Sequence, residues 1–308
     1  MTSRPPRNAC PRLIINADDL GIHPCIDTGI FEAFKQGILT SATLLVTTPY
    51  TEAAVEGARR IGLPIGLHFS LTLGRAVAPR DEIPDLVNAQ GNLQLSALKL
   101  LMLGLRGGRS EPLYRQIERE MEAQFRAAAA LGAELTHADS HQHVHMNPRI
   151  FAMLEDTAER HGVRRIRFSH EPLFAFEFGR DLVTNLRRAN PSKLALVTHL
   201  ARRIAPRLAT NDRFFGLMYS GHFTSSAFTH LLRRISRANA VYELGLHPGH
   251  CAPADSRTYP SPGYNAFISS PSREAELRLL TARGTHEQVK SSGIQLISYA
   301  DVDAAGAA

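Results

Sequence analysis

The stretch RLIINADDLGIHPCIDTGIFEAFKQGILTSATLLV, residues 12–46, reads as strand, loop, helix and strand in succession. RLIIN (12–16) is a short apolar run, as expected for a strand buried on both faces. A polar loop follows. From Asp27 the apolar residues take helical spacing: Ile30, Phe31 and Phe34 share one face, and Gly37 stops the helix. SATLLV (41–46) is the second strand. Two strands joined through a helix are expected to lie parallel in one sheet.

The alternation continues outward from this unit. A helix is predicted at 51–61 and a strand at PIGLHFSL (64–71). A long helix spans 111–131, with Ser110 as its N-cap and Ile117, Met121 and Phe125 as its buried stripe. LTHADSH (135–141) is the next strand, and Pro148 opens the next helix. VRRIRF (163–168), FFGLMYS (214–220), VYELGLH (241–247) and IQLISY (294–299) read as further strands. Residues 74–108, rich in Pro and Gly, read as an insertion, and residues 251–272 as a long surface loop. This pattern predicts an α/β fold, a distorted (β/α) barrel of mostly parallel strands covered by helices. All 308 residues are expected to form one domain, with flexible ends over 1–11 and the last seven residues.

Composition narrows the classes. At 44% apolar and 21% charged, the chain can bury a large core. The net charge of +6 comes from scattered arginines, with short clusters such as RRANPSK and ARRIAPR but no recognition motif, so nucleic acid is not an expected partner. Cys10, Cys25 and Cys251 show no CxxC spacing, which argues against a disulfide framework or a thiolate zinc site. The N-terminus lacks the apolar stretch of a signal peptide, and no window reaches the ~18 apolar residues of a membrane span. A cytoplasmic location is the default expectation, and a homodimer is an assembly the sequence allows. The apolar run at 95–106 is too short to span; it reads as a buried helix or one resting on lipid.

In such folds chemistry sits where strands end at their carboxyl termini. Four polar sites fall there: Asp18 and Asp19, His68, the cluster from His141, and His247. NADDLG (16–21) is either a solvated turn or a pair of carboxylates with divided labour, one on a cation and one acting as base. His68, within IGLHFSL, is either a satisfied core histidine or a ligand. HADSHQHVHMNP (137–148) is harder to explain structurally. In an extended chain His137, Asp139, His141, His143 and His145 project to one side, so they must pair, meet water or bind a metal. The spacing does not say which of them is the ligand, and it is not HExxH. His247, in ELGLHPGH, can supply a proton to a leaving group.

IINADDLG, GLHFSLTLGRAV, THADSHQHVHMNP and ELGLHPG, in this order, resemble the YdjC/ChbG family of carbohydrate deacetylases from about residue 12 to about residue 250. The middle section is more loosely similar to the hopanoid-associated HpnK branch. That branch tends to carry Asn-Ala where this chain has Asp139-Ser140, the chitooligosaccharide deacetylase pattern. The resemblance implies a distorted (β/α) barrel and one divalent ion, magnesium or zinc, held by Asp19, His68 and His141. It makes Asp18 the base and His247 the acid of a metal-dependent hydrolase that removes acetyl groups from an N-acetylated sugar or glycoconjugate, lipid-linked forms included. Asp139 or His143 is expected to orient a ligand imidazole. Arg167 and His143 are candidate substrate contacts; Arg167 is equally a candidate to steady Asp18 or to lie on the surface. His170-Glu171-Pro172 stands where the chitooligosaccharide branch has an arginine, which argues against chitobiose. The alternatives are a metal-dependent phosphoesterase, usually with two ions, and a non-catalytic metal-loaded protein that binds carbohydrate or lipid.

Overall fold

The computed structural model describes residues 10–104, 110–172, 190–235, 239–253 and 258–302. The expected flexible ends fall almost entirely outside these residues, as do residues 105–108 of the insertion. Seven strands form one sheet: β1 Arg12–Leu20, β2 Ser41–Leu44, β3 Ile65–Phe69, β4 Leu135–Ser140, β5 Arg213–Phe215, β6 Val241–Leu246 and β7 Gln295–Leu296. The order is β4-β3-β2-β1-β6-β5, with β7 on β1, and every ladder is parallel. β1 is the spine. One edge pairs with β6 from Arg12 to Ala17; the other passes from β7 at Arg12 and Leu13 to β2 at Asn16. Past Arg12 every residue of β1 is buried, which its apolar run required.

Single parallel bridges, Ala138 to Ile166 and Arg165 to Ala209, carry the sheet from β4 round to the segment that enters β5. The result is the expected distorted barrel. The expected strand at 163–168 is reduced to these bridges, because the Asn211 side chain takes over the backbone of Phe168 on both sides, at 2.8 and 3.0 Å. β5 stops at Phe215 rather than running to Ser220. The buried Glu171 carboxylate accepts the N–H groups of Leu217 and Met218, at 2.7 and 3.3 Å, in place of a neighbouring strand.

Ten described helices surround the sheet: α1 Pro24–Gln36, α2 Thr51–Ile61, α3 Ala97–Leu101, α4 Glu111–Ala130, α5 Pro148–Arg160, α6 Asn190–Ala201, α7 Ser225–Arg234, α8 Pro262–Ile268, α9 Pro271–Thr281 and α10 Arg283–Ser292. α1 begins three residues before the predicted Asp27. Pro24 is pre-set for the first turn, and His23 caps it by accepting the Cys25 N–H at 3.2 Å. Asp27 instead accepts the Gly21 N–H at 2.7 Å and so ties down the loop after β1. α8 and the start of α9 occupy the second half of the predicted surface loop at 251–272, while its described residues before Pro262 stay non-helical. On α4, Ile117, Met121 and Phe125 are fully buried as the stripe predicted, each stabilising the fold by about 1.5–3 kcal/mol. The same face turns Gln124 onto the backbone N–H and C=O of Ser70, at 3.0 and 2.6 Å, which fixes the exit from β3. Among the described residues no helix is long and apolar enough to cross a membrane.

Candidate metal centre and active site

The carboxyl ends of β1, β3, β4 and β6 deliver the polar residues. The register of β1 against β2 breaks between Ala17 and Leu20, and Asp19 adopts a left-handed φ of 69°. That bulge sends two adjacent carboxylates different ways. Asp18 meets the buried guanidinium of Arg167, which donates to both of its oxygens at 2.9 and 2.7 Å. Asp19 meets Arg273, which donates to Oδ2 at 2.9 Å.

After Ser140 the chain stops being extended. Gln142 and His143 both take left-handed conformations, so His141–Met146 winds into a tight turn. Each such residue costs on the order of 1–2 kcal/mol, and the turn is held by Ser140 Oγ, which accepts the His145 N–H at 2.9 Å. The predicted row of histidines on one side is therefore broken up. His137 stacks on Tyr299, His143 hydrogen-bonds to Ser169 Oγ at 2.9 Å, and His145 hydrogen-bonds to Ser140 Oγ and the Arg167 carbonyl. Only His141 of the turn reaches Asp19.

Three of the candidate residues come together. Asp19 Oδ1 lies 3.1 Å from His141 Nδ1 and 3.6 Å from His68 Nε2, and all three residues are buried. Ligand atoms each about 2.0–2.2 Å from a shared ion must themselves lie roughly 3–3.5 Å apart, so this His₂Asp set can hold a divalent ion. His141 Nε2 is buried without a hydrogen-bond partner, so either nitrogen of that ring is available. His68 Nδ1 faces Asp139 Oδ1 at 2.6 Å, leaving Nε2 for the ion. This is the carboxylate-histidine support common around metal ligands, and Asp139 rather than His143 provides it.

A second group, Asp18, His68 and Asp139, is almost as close. There the Arg167 guanidinium already contacts both carboxylates. A cation in that place would meet a fixed positive charge at hydrogen-bond distance. Arg273 likewise contacts Asp19, but at Oδ2 only, so the first group keeps a free carboxylate oxygen for an ion.

The charges are set by these pairings. Burial works to raise Asp18, but Arg167 outweighs it and holds the carboxyl below its usual range. Burial opposes Asp19 too, yet the His141 contact and Arg273 hold it well below. His68 would be lowered by burial; Asp139, with Asp18 and Asp19 behind it, carries it instead to about 9. His247 is lowered to about 4 by burial, against the pull of Asp19 and Asp18, so its imidazole is neutral at pH 7.

Asp18, His68, His141, His143 and His247 line one cavity of about 630 Å³. Arg167 does not line it. This residue is fully buried, with Nε on Glu243 Oε1 at 2.8 Å and its terminal nitrogens on Asp18, in contact also with Asp139 and Glu243, so the surface position is excluded. His247 is held by the Glu276 carboxylate, which accepts its backbone N–H at 2.6 Å. Gly249, two residues on, packs so closely on α1 that a Cβ there would lie 2.8 Å from the Ile26 side chain.

Two cavity-region residues escape a reading of the sequence. Arg273 sits in SREAELRLL, one arginine among many on a helix near the C-terminus, with no local signal. Lys193, in the RRANPSK cluster, reads as surface charge. It lines the cavity and forms no hydrogen bond or ion pair with any described residue; burial lowers its ammonium to about 8.

The fold and site thus define a barrel-like α/β protein with an Asp-His-His cluster at the carboxyl ends of its strands. The chain belongs to the YdjC-like protein family, whose model matches residues 12–291, as the four sequence motifs indicated. It is 34% identical to a human carbohydrate deacetylase, over 95% of this chain and 91% of that protein. It is 31% identical to a carbohydrate deacetylase from Geobacillus stearothermophilus, over 93% and 96%. A crystal structure from Enterococcus faecalis, of a protein named for cellobiose-phosphate cleavage, superimposes with a TM-score of 0.68 at 25% identity, covering 94% of this chain and 98% of that one.

Proposed function

We propose that the protein is a metal-dependent deacetylase that hydrolyses the acetamide of an N-acetylated sugar or glycoconjugate. The observation that carries the reading is that His68 and His141, which form a cluster with Asp19, line the same cavity as Asp18 and His247. Relatives covering nearly the whole chain bear the name carbohydrate deacetylase.

A divalent ion held by Asp19, His68 and His141 would supply Lewis acidity, polarising the acetyl carbonyl and acidifying water. The residues of the chain do the rest. Asp18 stays ionised because Arg167 fixes it, and the same two hydrogen bonds aim its remaining lone pairs. It takes a proton from the attacking water. His247 is neutral at rest, so it can protonate the departing nitrogen only after receiving a proton during turnover. The proton that Asp18 takes up can supply it, since both residues line the same cavity. Acetate and a free amine leave. Arg167 acts through Asp18, and His143, on the cavity wall, is placed to touch the sugar.

A two-ion phosphoesterase is disfavoured by Arg167, which occupies the only second group of ligands among the described residues. The test is acetate release from N-acetylglucosamine oligomers and N-acetylated glycolipids. Chelator-stripped and metal-restored protein are compared, with a phosphate assay in parallel. Acetate release that needs the ion supports the proposal. Phosphate release instead, or ligand binding with neither product under any metal, refutes it.

A further inference from the structure

Adjacent aspartates on β1 are each gripped by a buried arginine, and the two grips differ. Arg167 donates to both oxygens of Asp18. Arg273 donates only to Oδ2 of Asp19 and leaves Oδ1 to the two imidazoles. We infer that Arg273 fixes the denticity of Asp19, holding it to one oxygen at the ion and so selecting small ions of low coordination number over larger ones. The inference rests on the metal-dependent reading above and concerns which ion the site takes.

The grip is rigid. Arg273 is 1% exposed, lies at the start of α9, and spends its other donors on backbone carbonyls: Nε on Phe267 at 3.1 Å and Nη1 on His247 at 3.4 Å. Its guanidinium carbon lies 4.1 Å from the centre of the Phe267 ring. A planar cation held on three sides has no slack to follow a carboxylate that rotates. For Asp19 to offer both oxygens, Oδ2 must share its electrons between the ion and a buried charge-assisted hydrogen bond whose direction Arg273 fixes, which weakens both contacts. Zinc, with four ligands at about 2.0–2.3 Å, needs only one oxygen from a carboxylate, whereas calcium takes 6–8 oxygens and gains from bidentate carboxylates. One-oxygen binding also leaves a position free at the ion, as catalytic sites require. The same side chain reaches the His247 carbonyl, so it ties the ligand carboxylate to the loop that carries His247.

The test compares zinc and calcium affinities of chelator-stripped wild-type protein and Arg273→Gln, by competition with an indicator chelator. Removing one positive charge favours both dications alike, and partial unfolding weakens both alike, so the ratio isolates denticity. The zinc-to-calcium ratio is expected to fall by about 10–100-fold in Arg273→Gln, the range for losing a group that orients a ligand, with Arg273→Lys in between. An unchanged ratio in a variant with a native-like circular dichroism spectrum overturns the inference. X-ray absorption on zinc-loaded wild-type protein serves if the variants do not fold: one Asp19 oxygen at the ion supports it, and two overturn it. Wild-type protein that binds neither ion would defeat the metal reading itself, a different result from an unchanged ratio.

Discussion

The sharpest consequence of the site concerns pH and the Asp139-His68 pair. In the metal-free protein His68 titrates near 9, because Asp139 at 2.6 Å, and the two aspartates of β1, overcome the effect of burial. At pH 7 the imidazole therefore carries protons on both nitrogens. An ion must expel the one on Nε2, while Nδ1 keeps its proton for Asp139. Apparent affinity should then rise about tenfold per pH unit up to pH 9, so binding at pH 7 is roughly 100-fold weaker than at pH 9. Asp139→Asn acts in two opposed ways. It removes the largest influence raising His68, leaving only Asp18 and Asp19 against burial, so the proton competes less. It also loosens a ligand, which costs about 10–100-fold. At pH 7 the two effects nearly cancel, and at pH 9 only the loss remains. The variant should bind zinc within a few-fold of wild type at pH 7 and about 10–100-fold more weakly at pH 9. Stability of the metal-free protein follows the same proton. A folded-state value near 9 against 6.5 unfolded stabilises the fold in full below pH 6.5, and the contribution, about 3 kcal/mol, disappears as pH rises through 9. Chelator competition between pH 6 and 9 measures the first effect, and urea melts of stripped protein the second. A wild-type affinity that is flat between pH 6 and 8 would refute the reasoning.

Asp18→Asn should lower turnover by about 10²–10⁴ while metal content by mass spectrometry stays normal, since both Asp18 oxygens face Arg167 rather than the ion site; loss of metal would undo the division of roles. His141→Ala should lose bound metal, whereas His143→Ala, turned to Ser169, should keep it. Equal metal content in the two variants would show that the wrong histidine has been identified. Arg167→Met strands Asp18, Asp139 and Glu243 in the interior without their cation, and denaturant melts should show a loss of about 3–5 kcal/mol; a variant as stable as wild type would mean those carboxyls are protonated in the native state.

The elements with a period could be read from the chain; those ended by side chains could not. α2, α4 and β6 lie close to where apolar spacing put them, whereas β1 continues past the predicted Asn16 to Leu20, through a bulge, where a polar loop was expected. The strands at 163–168 and 214–220 are cut short by Asn211 and Glu171, residues distant in sequence whose side chains replace a backbone partner. The histidine cluster misled for a local reason. Period-two logic holds only while the chain stays extended, and it bends at Gln142 and His143, where no glycine announces a left-handed turn. Arg273 lies 254 residues from Asp19, and only the return of α9 to the mouth of β1 brings them together.

The proposed division of labour between Asp18 and Asp19 is therefore not written in the Asp-Asp motif itself. Both are buried, adjacent and ionised, and by residue type they are interchangeable. What separates them is the arginine each meets. A carboxylate clamped at both oxygens keeps its charge but cannot turn to chelate, which suits a group that only receives a proton. A carboxylate clamped at one oxygen keeps its charge and presents the other, which suits a ligand. Asp18, Asp19 and Asp139 bring three negative charges, Arg167 and Arg273 two positive ones, and protonated His68 the third, so these six groups balance among themselves in the metal-free protein. A divalent ion that expels the His68 proton leaves one excess positive charge. Glu243, held near 7 by burial against the pull of Arg167, is one group beside the cluster able to lose a proton and offset that charge. Among the described residues, the buried charges near this cavity thus favour the proposed ion at Asp19, His68 and His141 over the group that Arg167 contacts.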